Sequence, residues 1–442
     1  MHFGKITGEP ARERRKASTL LADSGRLELL NLTAASSLVA APATPAYNSA
    51  ARAAVELEQA ILMRELARRT GELSWLTRAA AAANRAAQGA GPETRLFAAA
   101  RLQRALCALL ATDLFADPDG DADAARALAE AEAVLGCAPG RLNGPSLIGV
   151  RLGARAALDR SDRDAGLTAA ARFEDAANSL EARVRATGSG EPEWIAAECE
   201  HAEMLIGLGL KRREPGLLDK ASRLMARLAA RLDGNRLPIS WMRVETLHGA
   251  ALRSLGEITG EARLLKDAAQ AFAAAWNAVP PGHSPMDRAR AAHGLALSMQ
   301  SLAEASGETN LYASALTAFD HALIEAPVSA APFRSMAAYD RAACLARRAE
   351  RSGDLPALAE AEAAFRTELA TREAGKDPVA WAVVQIGLAR IYEARADLTG
   401  HANEIADAAF ALSEALDVFA ERGLRSLSDI ALTALDRLKA RR

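Results

Sequence analysis

The segment DPDGDADAARALAE, residues 117–130, places Asp119, Asp121, Asp123 and Glu130 at the first, third, fifth and twelfth positions of an EF-hand-like calcium loop. Carboxylates at that spacing could wrap a hard cation. The sixth position, however, is Ala124 where the sharp turn requires glycine, and 124–130 is rich in helix formers. The reading favoured by the residues is an acidic insertion that lengthens a turn and caps the helix after it, with calcium as the weaker alternative.

Other candidate chemistry is sparser. His201, His248 and His293 recur near one level of successive helices, but packed helix axes lie about 8–10 Å apart, too far for two imidazoles to share a zinc without special rotamers. They are expected to pack or to line a groove. Cys199 and His201 are two residues apart on a helix and point to different faces. The chain has no G-x-S-x-G elbow, no G-x-x-x-x-G-K-[ST] loop and no strand-borne G-x-G-x-x-G. Cys107, Cys137, Cys199 and Cys344 form no C-x-x-C pair, so neither a disulfide framework nor a zinc site is expected. Nothing supports catalysis, and no cofactor is implied.

Composition sets what must position these residues. Of 442 residues, 50% are hydrophobic but only 4% aromatic, so the core must be built from Ala and Leu, which favours helices packed closely together. A net charge of −2 with a pI near 6.4 gives no basic field for nucleic acid or an anionic membrane. No apolar run is long enough for a transmembrane helix. Residues 29–46 end in small residues as a signal peptide does, but nearly thirty residues precede that stretch, Glu9, Glu13, Asp23 and Glu28 among them, and a cytoplasmic location is expected.

The chain is periodic. Pro45, Pro92, Pro145, Pro192, Pro238, Pro285, Pro332 and Pro378 each precede an apolar periodic run, at steps of about 46 to 47 residues except for about 53 between Pro92 and Pro145. Proline fits a helix start, where its missing N–H has no partner to lose. A second landmark, as in TGEARLLKDAA at 259 and TGHANEIADAA at 399, pairs a Gly with an apolar residue five positions later, marking a helix end and the next start. Its apolar residues are Leu76, Leu128, Leu167, Leu218, Leu265, Tyr312, Leu358 and Ile405. Each unit is therefore a hairpin of helix A and helix B, which must stack on its neighbours to complete a core.

The small residues within helix A (Gly249-Ala250, Ala342-Ala343, Ala389) and the Ala-x-x-x-Phe spacing of helix B (Ala268 and Phe272, Ala315 and Phe319, Ala361 and Phe365) resemble the tetratricopeptide repeat (TPR) family. The longer period is similar to that of Ala/Arg-rich bacterial arrays. The resemblance implies an all-α fold, an α-solenoid of about eight TPR-like hairpins in a right-handed superhelix, with an A–B turn longer than the standard one. The array spans 45–422, residues 423–442 form a capping helix, and 1–44 are expected to be a flexible tail with a short amphipathic segment. Trp194, Trp241 and Trp381, in the first turn of helix A, are expected to pack on the preceding helix B.

Function is then expected on the concave face of helix A. Arg243, Arg253, Arg290, His293, Gln300, Asp340, Arg347 and Arg390 are placed there, a stripe that leans basic and suits an acidic or C-terminal segment of a partner protein. Chaperone-binding members of the family clamp a terminal carboxylate with Asn as well, and helices A here almost lack Asn after Asn48. The expectation is a non-enzymatic interaction scaffold. Alternatives are a module autoinhibited by its own tail and an α-helical small-ligand receptor or enzyme.

Overall fold

The computed structural model describes residues 24–40, 49–136, 144–371, 378–422 and 425–440. Among the described residues there are eighteen α-helices and no strand. The chain forms two compact units, Met1–Ser298 with Ile324–Phe333, and Met299–Leu323 with Arg334–Arg442.

In the first unit, a 3₁₀ turn (Ser24–Leu29) leads into α1 (Leu32–Ala40). Five hairpins follow: α2 and α3 (Ser49–Thr70, Leu73–Ala90), α4 and α5 (Arg95–Phe115, Gly120–Leu135), α6 and α7 (Gly144–Asp159, Arg163–Thr187), α8 and α9 (Glu191–Arg212, Pro215–Ala229), and α10 and α11 (Pro238–Thr259, Ala262–Asn277). The helix α12 (Pro285–Ser306) begins a sixth. Contributing to the second unit are α13 (Asn310–Glu325), α14 (Ala331–Ser352), α15 (Leu355–Thr371), α16 (Pro378–Thr399), α17 (Ala402–Glu421) and α18 (Arg425–Lys439).

Helices A begin at 49, 95, 144, 191, 238, 285, 331 and 378, so the long step between Pro92 and Pro145 shrinks to 49 residues. Pro92 stands three residues before its helix, whereas Pro192 and Pro238 occupy the first helical turn. One expectation is corrected: the A–B turns hold only two to four residues, and the long period is taken up by helices A of up to 22 residues.

The core follows the landmarks. Leu76, Leu218, Leu265, Tyr312 and Leu358 are at most 3% exposed, and Phe272, Phe319 and Phe365 are equally buried. Trp194 lies in a cluster with Ala177, Leu180 and Val184 of the preceding helix B, and its ring is covered by the Arg231 guanidinium 4.7 Å away.

The amino-terminal segment differs from the expected flexible tail over its described part. Leu30, Ala35 and Val39 are buried against Ala60, Met63 and Leu66 of α2 and against α3. Residues 1–23 and 41–48 lie outside the described residues.

Candidate functional site

Six helices A of the first unit, α2, α4, α6, α8, α10 and α12, contribute side chains to one chamber of about 430 Å³. Its lining alternates in charge. Arg64, Arg68, Arg151, Arg243 and Arg290 stand with Glu65, Asp113, Glu200, Glu203 and Asp287, and Leu106, Leu110, Met242 and Leu247 fill the spaces between. The spacing on each helix explains the convergence. Residues three or four apart share a face, so Arg64 and Arg68, Glu200 and Glu203, and Asp287 and Arg290 turn inward together.

Most of these charges are neutralised in place. Arg68 bonds Asp287 through both carboxylate oxygens at 2.9 and 3.1 Å and Glu65 at 2.9 Å. Arg151 reaches Asp113 at 2.7 Å and Glu200 at 3.5 Å, and Arg243 reaches Glu203 at 2.8 Å and Glu200 at 3.5 Å. Burial alone would lower the Arg68 guanidinium, but Asp287 and Glu65 outweigh it and raise its pKa. Burial likewise opposes ionisation of Asp287, yet Arg68 and Arg290 hold its carboxyl below the ordinary value. Glu200 is pushed up by burial, with Arg151 opposing.

Beside the chamber, the first hairpin meets the fifth and sixth across a seam that no sequential stacking provides. Glu28 accepts hydrogen bonds from the backbone N–H groups of Ile239 and Ser240, each at 2.8 Å, and from the Ser240 hydroxyl. These are orphan donors at the start of α10, whose own N-cap residue, Leu237, offers no side-chain acceptor. Arg69, 1% exposed, donates to the carbonyls of Leu30 at 2.8 Å and His283 at 3.1 Å and also to Leu27. His283 Nε2 lies 2.7 Å from the Glu28 carbonyl oxygen. Gly71, with φ of 68°, receives the Ser329 hydroxyl on its carbonyl, and a β-carbon there would stand 2.9 Å from Pro327 Cγ. Glycine is required at this point both by the left-handed turn and by the close approach.

The residues singled out in the sequence are distributed as follows. Arg243 and Arg290 line the chamber. Arg390 lines a separate groove of about 770 Å³ in the second unit, with Ile386, Leu398, Leu412 and Ile430, and pairs with Glu350 at 3.2 Å. Arg253 pairs with Glu257, and Arg347 with Glu304 and Glu350. Gln300 donates to Glu304 at 3.3 Å, and Asp340 has interactions of its own. His293 sets its ring edge-on to Phe333, 5.6 Å between centroids. Sequence reasoning missed Arg64, Arg68, Arg151 and all five carboxylates, because it followed helix A only in later repeats and tracked basic residues.

The calcium-like set is not a loop in the structure. Asp121 and Asp123 lie in the first turn of α5 and pair with Arg155 and Arg104, while Glu130 pairs with Arg101 at 2.6 Å. Only Asp119 remains in the turn, so the four carboxylates do not converge. Among the described residues no group of three or more His, Cys, Asp or Glu could hold a metal ion, and no helix is long and apolar enough to cross a membrane.

His201 is 2% exposed and neither ring nitrogen has a hydrogen-bond partner. Burial, aided by Lys220 and opposed by Glu174, lowers its pKa from 6.5 to about 4. The unfolded chain therefore binds this proton more readily, and the stability it contributes is present above pH 6.5 and lost as pH falls toward 4. At about 1.4 kcal/mol per unit the loss approaches ~3 kcal/mol. Urea midpoints across that range should fall less steeply in His201→Leu than in wild type; parallel profiles would exclude His201 as the source.

No protein-family model matches the chain, and no curated protein matches it. Among solved structures, the human IFIT1 dimer with PPP-AAAA is similar over 88% of this chain and 73% of that one, at 14% identity and a TM-score of 0.51. This is a helical-repeat protein. Also similar to this helical-repeat protein are the Rap protein complexed with competence and sporulation factor (TM-score 0.44, 11% identity, 88% of this chain and 98% of that one) and aspartyl phosphate phosphatase F from Bacillus subtilis (0.41, 10%, 90% and 96%).

Proposed function

We propose that this protein is a non-enzymatic interaction module of tetratricopeptide type that holds a short charged segment of a partner protein in the chamber of its first unit. The observation that carries this reading is the convergence of six helices A on a space of about 430 Å³ lined by charged and apolar side chains together. That volume lies in the range of ordinary ligand sites, and mixed lining of this kind fixes orientation through a few polar contacts. The PPP-AAAA of the IFIT1 structure is a polyanion, and this chamber, with as many carboxylates as guanidiniums, offers no net positive charge to such a ligand. A cytoplasmic setting fits Cys107, Cys199 and Cys344, each a buried free thiol.

Selection from a random peptide display library tests the reading. Peptides enriched on wild type should lose at least about tenfold in affinity on Leu110→Trp, which fills the chamber, and on Arg290→Glu, which reverses a wall charge. Peptides that bind all three proteins equally would move the site elsewhere and overturn the proposal.

A further inference from the structure

Five carboxylates line the chamber, and each is already engaged or faces an engaged arginine. Glu65 and Asp287 belong to Arg68, Asp287 also accepts from Ser284, Asp113 is shared by Arg151 and Arg155, and Glu200 and Glu203 serve Arg243. Two guanidiniums of the lining are left over. Arg64 and Arg290 both face the chamber without a hydrogen bond or close ion pair to a described residue, although Glu65 attracts the first, and Glu203 and Asp287 attract the second, from beyond ion-pair distance.

Their positions are related. Arg64 is one turn before Arg68 on α2, and Arg290 is one turn after Asp287 on α12, so both flank the Arg68–Asp287 bridge that ties the first repeat to the sixth. Burial disfavours the charge of Arg64, Cys107 and Glu65 oppose that effect, and Arg68 and Arg151 add like-charge repulsion. An arginine fork is built to receive two oxygens of a planar or tetrahedral anion.

Resting on the partner-segment reading above, we infer that the chamber takes a compact oxyanion, a carboxylate or a phosphate group, between Arg64 and Arg290. The lining as a whole carries five guanidiniums against five carboxylates, so a singly charged group suits it better than a polyanion. An anion held there touches the first and sixth repeats at once and so ties the seam more tightly. Because it binds the folded chamber and not the unfolded chain, it stabilises the first unit by mass action.

The test is thermal unfolding of the full chain at constant ionic strength, with sodium chloride replaced stepwise by sodium acetate in one series and sodium phosphate in another. The expected result is a saturable rise in melting temperature in at least one series, with apparent affinity about tenfold weaker in Arg64→Gln and in Arg290→Gln. A rise with acetate assigns a carboxylate, and a rise with phosphate alone assigns a phosphoryl group; either supports the inference. No saturable rise, or an undiminished rise in both variants, overturns it. If ions bind while displayed peptides do not, the anion site stands and the partner-segment reading falls. If peptides bind the chamber and neither ion does, the reverse holds.

Discussion

Replacing Arg69 with methionine is expected to cost the first unit about 2–5 kcal/mol, because buried backbone carbonyls lose a charged donor at about 1–3 kcal/mol each. Methionine keeps much of the side-chain length but none of the donors, so the carbonyls of Leu27, Leu30 and His283 lose a common partner inside the protein. In a repeat array stability is distributed over neighbouring interfaces, so the loss should be local. Hydrogen exchange should rise at the amides of Ile239 and Ser240, which Glu28 protects, and across α1. Amides in the middle of α8 and α9 should keep their protection. If Ile239 and Ser240 exchange at the wild-type rate in Arg69→Met, the seam does not depend on this arginine.

The second large effect concerns Phe272, which is 3% exposed and seated between Gly249 and Gly294 of the two flanking helices A. Phe272→Ala should cost about 3–5 kcal/mol through lost burial and the cavity left behind. Gly294 provides a sharper check, because a β-carbon there would overlap the Phe272 ring. Alanine in a helix gains up to ~1 kcal/mol over glycine from propensity alone, yet Gly294→Ala should destabilise the wild type. In the Phe272→Ala background the ring is gone and the same change should become stabilising. A sign reversal in denaturant midpoints is the expected outcome of this double-mutant cycle, and simple additivity would refute the packing argument.

The hairpin period and the buried landmarks were readable because each depends on residues close in sequence. Gly71, Gly260, Gly307, Gly353 and Gly400 all take positive φ at the ends of helices A, as the glycine landmark implies. The same left-handed geometry occurs at Ala116, Ser161 and Arg213 in the second to fourth repeats, where no glycine marks it. Those turns were faint in the sequence because the stacked repeats, and not the residue type, hold the conformation.

The chamber and the seam were harder to read for a related reason. Arg290 could be placed by counting along its helix, but Arg64 acquires meaning only once the first repeat is known to lie beside the sixth. Glu28 is the extreme case, a cap for α10 supplied from 211 residues away, which no local capping pattern can reveal. Alternating acids on helix A were visible as residues. Their commitment to arginines on neighbouring helices was not.

Arg69 and its acceptor His283 are separated by 214 residues. At ordinary translation rates of about 5–20 residues per second, the first hairpin waits roughly 10–40 s on the ribosome before its acceptor is even made. Local stacking lets each later hairpin settle on its predecessor as it emerges. The side of α2 that carries Arg69 stays uncovered while the middle of the array is assembled. The α2–α3 hairpin is thus made 214 residues before its contact is completed, and over that interval its uncovered side is where the growing chain has most need of chaperones.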